Sequence, residues 1–170
     1  IRMPFLIRYP PEIEGGTVID DLVTNVDFAP LMLDYAGVQP PSSMQGRSFR
    51  PNLRGQRPSD WRDAVYYHYW MHASGAQRPA HYGIRTKRYK LIFFYGLPLG
   101  KTNNSPTPAG WELYDLAKDP RELDNVYNDP SYKDVRARLK KRLLKLKETL
   151  GTTDEKFPRL MERRQKHWEE

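Results

Sequence analysis

Trp111-Glu112-Leu113-Tyr114-Asp115-Leu116-Ala117-Lys118-Asp119-Pro120-Arg121-Glu122-Leu123-Asp124-Asn125 carries the densest local information in this chain of 170 residues. From Trp111 to Asp115, large apolar side chains alternate with polar ones, the pattern of an aromatic strand with one face in a core. Asp119-Pro120 then sets a turn, because an Asp side chain bonds to nearby backbone N–H groups and Pro fixes φ. The polar hook after it leads toward a basic helix. A strand handed through a capped turn to a helix is the ending of an α+β unit, and the preceding residues supply its other strands.

Working backward, Ala64 to Trp70 is an aromatic strand, and Ala80 to Thr86 is a second one with Gly83 inside it. Lys87-Arg88 is a tight turn into a third strand, Tyr89 to Tyr95, so this pair is predicted to be a hairpin. Gly96 to Gly110 is a long polar loop with three prolines, placed at a rim. Working forward, Asp129 is the N-cap candidate of the last helix and Pro130 takes its first position. Val135, Leu139, Leu143, Leu146 and Leu150 form its apolar stripe, and Gly151 closes it. Residues 59–151 are therefore read as four antiparallel strands with one packed helix, and residues 152–170 as a charged tail with a helical stretch around Leu160 to His167.

The first third of the chain has a different texture. Met3-Pro4-Phe5-Leu6-Ile7-Arg8-Tyr9-Pro10 is a mostly apolar run stopped by Pro10-Pro11, which suits a strand buried on both faces of a parallel sheet. Gly15-Gly16 is a loop, and Val18 to Val23 is a connector or edge strand. Phe28, Leu31, Met32, Tyr35 and Ala36 make one helical stripe. Asn25 or Asp27 is expected to cap it, Pro30 fits its first turn, and Gly37 ends it. Gln39 to Pro58 is an irregular connection with a short helical turn near Ser48 to Leu53. Residues 1–58 read as the last α/β unit of a larger layer and its connection. Such a unit leaves its strand faces uncovered and needs a partner. Ile1 opens straight into the apolar run, as if polypeptide precedes it.

Composition narrows the function classes. Apolar residues make up 38% of the chain and aromatic residues 12%, enough for a packed core. No run approaches the ~18 apolar residues of a membrane span, and no leader with a cleavage site is visible. Without cysteine there is no disulfide and no thiolate metal site. The formal charge of +7 invites a nucleic-acid reading. Its location argues against one. Lys133 to Lys147 holds eight Lys or Arg and one acid, so this single helix carries +7 and the rest balances to about zero. One basic helix face is most simply a solvated one.

Taken together, several segments resemble the type I sulfatases, in that family's own order. Residues 1–10 are similar to the strand I-R-V-P-L-I-I-R-Y-P. Val26 to Val38 is similar to the helix V-D-L-x-P-T-L-L-D-L-A-G-V, and Met44-Gln45-Gly46-Arg47-Ser48 to the loop after it. His81 to Ile92 resembles a hairpin of the C-terminal sheet, and Trp111 to Asn125 the signature W-E-L-Y-D-L-x-x-D-P-x-E-L-x-N. The resemblance implies an α/β fold, the edge of an alkaline-phosphatase-like α/β sandwich plus a C-terminal α+β subdomain. It implies hydrolysis of sulfate esters, of sulfated carbohydrate or of aryl sulfate, with calcium and a formylglycine nucleophile. Such chemistry needs an activated oxygen and cations that hold developing negative charge. The nucleophile motif C/S-x-P-x-R is absent here, and Asp20-Asp21 and Asp124-Asn125 do not match the family's metal-binding context. No catalytic residue and no metal ligand is therefore expected in this chain, and an N-terminal sulfatase portion is the expected partner. The family's compartments are periplasmic, secreted or lysosomal. The alternatives are a non-catalytic polyanion-binding module and a phosphoryl-transfer relative.

Three residues are carried as substrate-binding candidates. His81 opens a strand beside aromatic residues and is assigned to a sugar hydroxyl, against the alternative of a structural histidine. Trp70, next to a loop, is the best stacking residue of the Tyr66, Tyr67, Tyr69, Trp70 cluster, which otherwise belongs to a core and its rim. Arg85 has the planar fork for an anion, although a structural tie to a carboxylate is the favoured reading. His68 and His72 have the spacing of a helical metal pair. On a strand they lie ~13 Å apart and read as packing or rim histidines.

Overall fold

Between Ala64 and Asp115 one set of side chains, Ala64, Tyr82, Ile84, Leu91, Phe93, Trp111 and Leu113, is buried together on one face of a sheet. The computed structural model describes residues 3–74, 77–100 and 104–169. They form two units, Ile1–Asp63 and Ala64–Glu170.

In the second unit, β1 (Ala64–Tyr69), β2 (His81–Thr86), β3 (Tyr89–Phe94) and β4 (Gly110–Asp115) pair antiparallel in the order β1-β2-β3-β4. The register aligns Tyr66, Ile84, Leu91 and Leu113 in one row and His68, Tyr82, Phe93 and Trp111 in the next. These two rows make the core face, and Ile84, Leu91, Leu113, Tyr82 and Phe93 are fully buried there. Helix α3 (Lys133–Thr149) lays Leu139 and Leu143 on it. Burying each such side chain contributes about 1.5–3 kcal/mol. The Lys87-Arg88 turn is tied by Thr86, whose Oγ1 accepts the Tyr89 N–H at 2.8 Å. Gly83 is required by close approach. A Cβ there would stand 2.4 Å from the Leu91 carbonyl oxygen and 2.6 Å from Tyr67 Oη, so the Tyr67 ring lies where a side chain would be.

The signature segment works as a set of ties. Trp111 and Leu113 enter the core. Asp115 accepts from both arms of the Arg88 guanidinium (3.0 and 2.9 Å) and from the Tyr132 hydroxyl (3.2 Å), joining hairpin turn to helix start. Asp119 accepts the N–H groups of Arg121, Leu123 and Asp124. The turn puts Glu122 at φ 59°, a left-handed conformation few side chains adopt. Asn125 then closes the free edge of β4. Its Oδ1 accepts from Leu113 N (2.9 Å) and Tyr127 N (3.0 Å), and its Nδ2 donates to the Trp111 carbonyl (3.1 Å). Asp129 accepts the Ser131 N–H at 2.8 Å, opening a 3-10 turn (Pro130–Tyr132) that runs into α3. Gly151, at φ 62°, ends the helix.

Two expectations about this unit change. The segment 152–170 is no loose tail. A 3-10 turn at Asp154–Lys156 leads into α4 (Pro158–His167), whose Leu160 is fully buried in the sheet core. Trp168 packs on Trp111 with ring centroids 4.9 Å apart, and Trp111 Nε1 donates to the His167 carbonyl at 2.8 Å. The basic helix is also not basic on its solvated side alone. Lys140 and Lys147 are turned inward. The Lys147 ammonium sits 3.6 Å from the Tyr82 ring centroid and pairs with buried Asp154, which also takes Arg164 at 2.9 Å. The Lys140 ammonium lies over Trp111 (4.6 Å), Tyr127 (5.4 Å) and Trp168 (5.6 Å) and donates to the Trp168 carbonyl. Aromatic faces and carbonyls receive a cation whose hydration is lost.

The first unit carries α1 (Phe28–Tyr35) and α2 (Arg50–Leu53) around a small core of Leu31, Phe49, Leu53 and Trp61. Charge ties compensate for its size. Buried Asp27 accepts from both arms of Arg62, from Thr24 N (2.8 Å) and from Arg47 N (2.9 Å). Asp27 therefore serves the segments before and after α1, instead of capping it as expected. Gly46 lets that loop approach, since a Cβ there would stand 1.9 Å from the Val26 carbonyl oxygen. Arg50 bridges Glu12 and Asp34 while its guanidinium lies 4.5 Å from the Tyr35 ring. The predicted strand at Met3–Pro10 does not form. A strand needs a neighbour for its backbone groups, and the described residues of this unit include no strand. Met3, Phe5 and Leu6 are exposed, Leu6 at 96%.

Candidate functional site

The sheet's other face gathers the polar and aromatic groups that no helix of α3's kind covers. By register, Tyr69, His81 and Phe94 form one row, Tyr67, Gly83, Ile92 and Glu112 the next, and Val65, Arg85, Lys90 and Tyr114 a third. β2 places His81 and Arg85 four residues apart, hence on the same face and about 13 Å from each other.

His81 is held in one orientation. Its ring stacks on Tyr69 (5.3 Å between centroids) and leans on Phe94 (4.9 Å). Nδ1 lies 2.8 Å from the Pro79 carbonyl, which only accepts, so Nδ1 carries the hydrogen. Burial pushes the His81 pKa down, outweighing that carbonyl. The ring is thus neutral near pH 7, and Nε2 is an acceptor of the kind a sugar hydroxyl matches.

Arg85 is half-buried, with its Nη1 3.5 Å from Glu122 Oε1. Lys90 donates to the other oxygen of the same carboxylate. The strained turn at Glu122 therefore delivers one acid to two cations on this face. This pairing was not legible in the sequence, where Glu122 is only a residue of the hook. Trp70 goes to the other side. Its ring stacks on His68 at 3.5 Å and 18° and meets Phe157 at 5.3 Å, leaving 44% of the residue exposed. The structure brings His81 and Arg85 to one face and separates Trp70 from them.

His68 and His72 are each satisfied internally. His72 is buried, with Nε2 2.8 Å from the Ser105 carbonyl and Nδ1 accepting the Ala80 N–H at 3.2 Å, so it fastens the 104–110 loop to the start of β2. His68 lies between the hydroxyls of Tyr66 (2.7 Å) and Tyr95 (2.9 Å). Burial, with lesser contributions from the Lys147 and His81 charges, pushes its pKa down to about 3. An unfolded imidazole titrates near 6.5. Between those values the unfolded chain binds a proton that the folded one does not, so stability falls as pH drops. The slope from this group is at most about 1.4 kcal/mol per pH unit. Urea unfolding at stepped pH is expected to show this loss beginning below about pH 6.5. The carboxylates depressed by partners, Asp115 for example, join only near about pH 4. His68→Gln should remove most of the upper part of the slope, with His81 supplying what is left. An unchanged slope in that variant would show that His68 is charged in the fold.

Among the described residues, no group of three or more His, Cys, Asp or Glu side chains is placed to hold a metal ion. Asp21 is tied to Arg57 (2.9 Å) and Asn52 (2.8 Å), and Asn125 to the β4 edge. The described residues do not fit the calcium and formylglycine chemistry that the resemblance implies. Among the described residues, no helix is long and apolar enough to cross a membrane.

A family match and a structural superposition identify this chain as a C-terminal portion of an alkaline-phosphatase-like sulfatase. The chain belongs to the family described as N-sulphoglucosamine sulphohydrolase, C-terminal, which it matches over residues 1–149. It is 43% identical over 149 residues to the N-acetylglucosamine-6-O-sulfatase of Bacteroides thetaiotaomicron, covering 86% of this chain and 24% of that protein. It is 34% identical over 148 residues to an arylsulfatase of Clostridium perfringens, covering 85% of this chain and 27% of that protein. The solved structure of BT4656 in complex with its substrate D-glucosamine-2-N,6-O-disulfate superposes with a TM-score of 0.80 at 38% identity, over 92% of this chain and 30% of the other. The chain spans about a quarter of the length of these two curated relatives.

Proposed function

We propose that this chain is the C-terminal part of a sulfatase that removes sulfate from an amino sugar of a sulfated glycan, and that its sheet face lines the substrate. The observation that carries the reading is the 43% identity with an N-acetylglucosamine-6-O-sulfatase. A neutral His81 with a free acceptor nitrogen, fixed among aromatic rings, supports it. Arg85 and Lys90 share the Glu122 carboxylate, and Glu112 lies in the neighbouring row of the same face, so this face presents charged donors and acceptors in balance, groups that can hydrogen-bond a polar sugar. The metal, calcium by resemblance, and the formylglycine nucleophile belong to the N-terminal portion, which this chain needs as its partner. They would supply the activated oxygen and the cation.

His81 in this reading accepts one hydroxyl hydrogen bond and orients the sugar. Trp70 supplies at most an outer stacking surface, because it stands on the sheet's other side. Two measurements test this. The chain alone is expected to turn over no chromogenic sulfate ester, and any turnover by it would overturn the assignment of the chemistry to the missing portion. In the intact polypeptide, His81→Ala is expected to lower kcat/KM on a 6-O-sulfated N-acetylglucosamine about 10-fold, the worth of one hydrogen bond of ~1–1.5 kcal/mol. An unaffected kcat/KM would remove His81 from the pocket.

A further inference from the structure

Beyond Lys133, which is exposed at the helix start, the basic residues of α3 separate into two populations. Lys140 and Lys147 are committed to the core, and Arg136 donates to the Tyr127 carbonyl. Arg138, Lys141 and Lys145 are exposed. They recur at intervals of three and four, so they share one helical face over roughly 10 Å, with half-buried Arg142 beside them. The acids Asp134 and Glu148 lie only at the ends, and the Lys145–Glu148 pair at 2.9 Å is a solvated one of little worth. Like charges at such spacing cost a helix a few tenths of a kcal/mol per pair. The apolar stripe anchors α3, and Asp134 and Glu148, four residues before Arg138 and three after Lys145, offset part of the row's charge at its two ends.

We propose that the row Arg138, Lys141, Lys145 is a docking strip for a sulfated polysaccharide chain. Charge complementarity argues for a polyanion, and a length of about 10 Å matches a ligand carrying several anionic groups in succession. The strip has no exposed aromatic side chain on which bases would stack. The choice of a sulfated polysaccharide over other polyanions rests on the sulfatase reading above. The strip would hold the polymer by charge alone, independently of which sugar carries which sulfate.

The test uses the intact polypeptide that contains this chain. Binding to immobilised heparin and to duplex DNA is measured across a salt series, alongside turnover of a sulfated monosaccharide. Arg138→Gln/Lys141→Gln/Lys145→Gln is expected to weaken heparin binding at least 10-fold at 0.15 M salt and to reduce the salt slope by about 2 to 3. Thermal midpoint and monosaccharide turnover should stay unchanged. The control Arg159→Gln/Lys166→Gln, which removes exposed charges elsewhere, is expected to leave heparin binding intact. Unaltered retention in the triple variant, an equal loss in the control, or tighter binding to DNA than to heparin would overturn the proposal. Absent monosaccharide turnover with heparin binding retained counts against the sulfatase reading and not against the strip, so the two failures are distinguishable.

Discussion

Asp154→Ala is expected to destabilise the unit Ala64–Glu170 by about 3–5 kcal/mol, the cost of stripping one partner from a buried ion pair. Asp154 is 1% exposed and receives Lys147, Arg164 and the Tyr82 hydroxyl (3.3 Å). Lys147 is equally hidden, and burial already pushes its pKa down against the pull of Asp154. Without the carboxylate the ammonium keeps the Tyr82 and Tyr66 rings but no anion, and it must lose its proton or bring water into the core. Urea unfolding at pH 7 measures the loss. The double variant Lys147→Met/Asp154→Asn should recover part of it, because the buried Lys147 charge is gone and methionine fills the same space, while Arg164, which is partly exposed, loses its carboxylate in both variants. A loss below about 1 kcal/mol in Asp154→Ala would mean that this site is open to solvent.

Trp111→Ala is expected to cost a further distinct 3–5 kcal/mol or so, the range for deleting a buried aromatic side chain. The ring lies parallel to Tyr127 (5.7 Å, 2°), meets Phe93 at 4.6 Å and Trp168 at 4.9 Å, and ties α4 through the His167 carbonyl. It also carries the Lys140 ammonium. Trp111→Phe should lose less, since it keeps the apolar contacts and gives up only the Nε1 hydrogen bond and part of the cation contact. Thermal unfolding followed by far-UV circular dichroism separates the two variants. Equal midpoints for Trp111→Ala and the parent would show that α4 is not fastened through this ring.

Much of the sheet could be read from the sequence because its forces are local. Aromatic alternation marked β1 to β4, the Lys87-Arg88 turn marked the hairpin, and the leucine stripe with Asp129 marked α3. The misread parts depend on partners distant in the chain. Met3 to Tyr9 has the composition of a strand, but composition does not supply the neighbouring strand whose backbone would pair with it. Lys140 and Lys147 were counted as surface because lysine usually is. The rings of Trp111, Tyr127, Trp168, Tyr82 and Tyr66, gathered from three strands and two segments outside any element, together with the Asp154 carboxylate, make their burial possible. The segment after Gly151 looked like a tail since Phe157, Leu160 and Trp168 are too sparse to form a stripe, yet each reaches the core. At the candidate site, the histidine at a strand start was visible. The Pro79 carbonyl that sets its tautomer and the Glu122 turn that compensates Arg85 were not, because both arise from backbone geometry rather than residue type.

The two inward lysines of α3 are seven residues apart, two full turns of the helix. A greasy stripe tolerates sliding or rolling, since one leucine fills another's place at small cost. An ammonium does not. Turning α3 by one residue would pull both cations off their rings and their oxygen acceptors at once, at several kcal/mol each. The pair therefore acts as a two-tooth key that fixes the rotational setting of the helix on the sheet, and with it which of its remaining cations look outward.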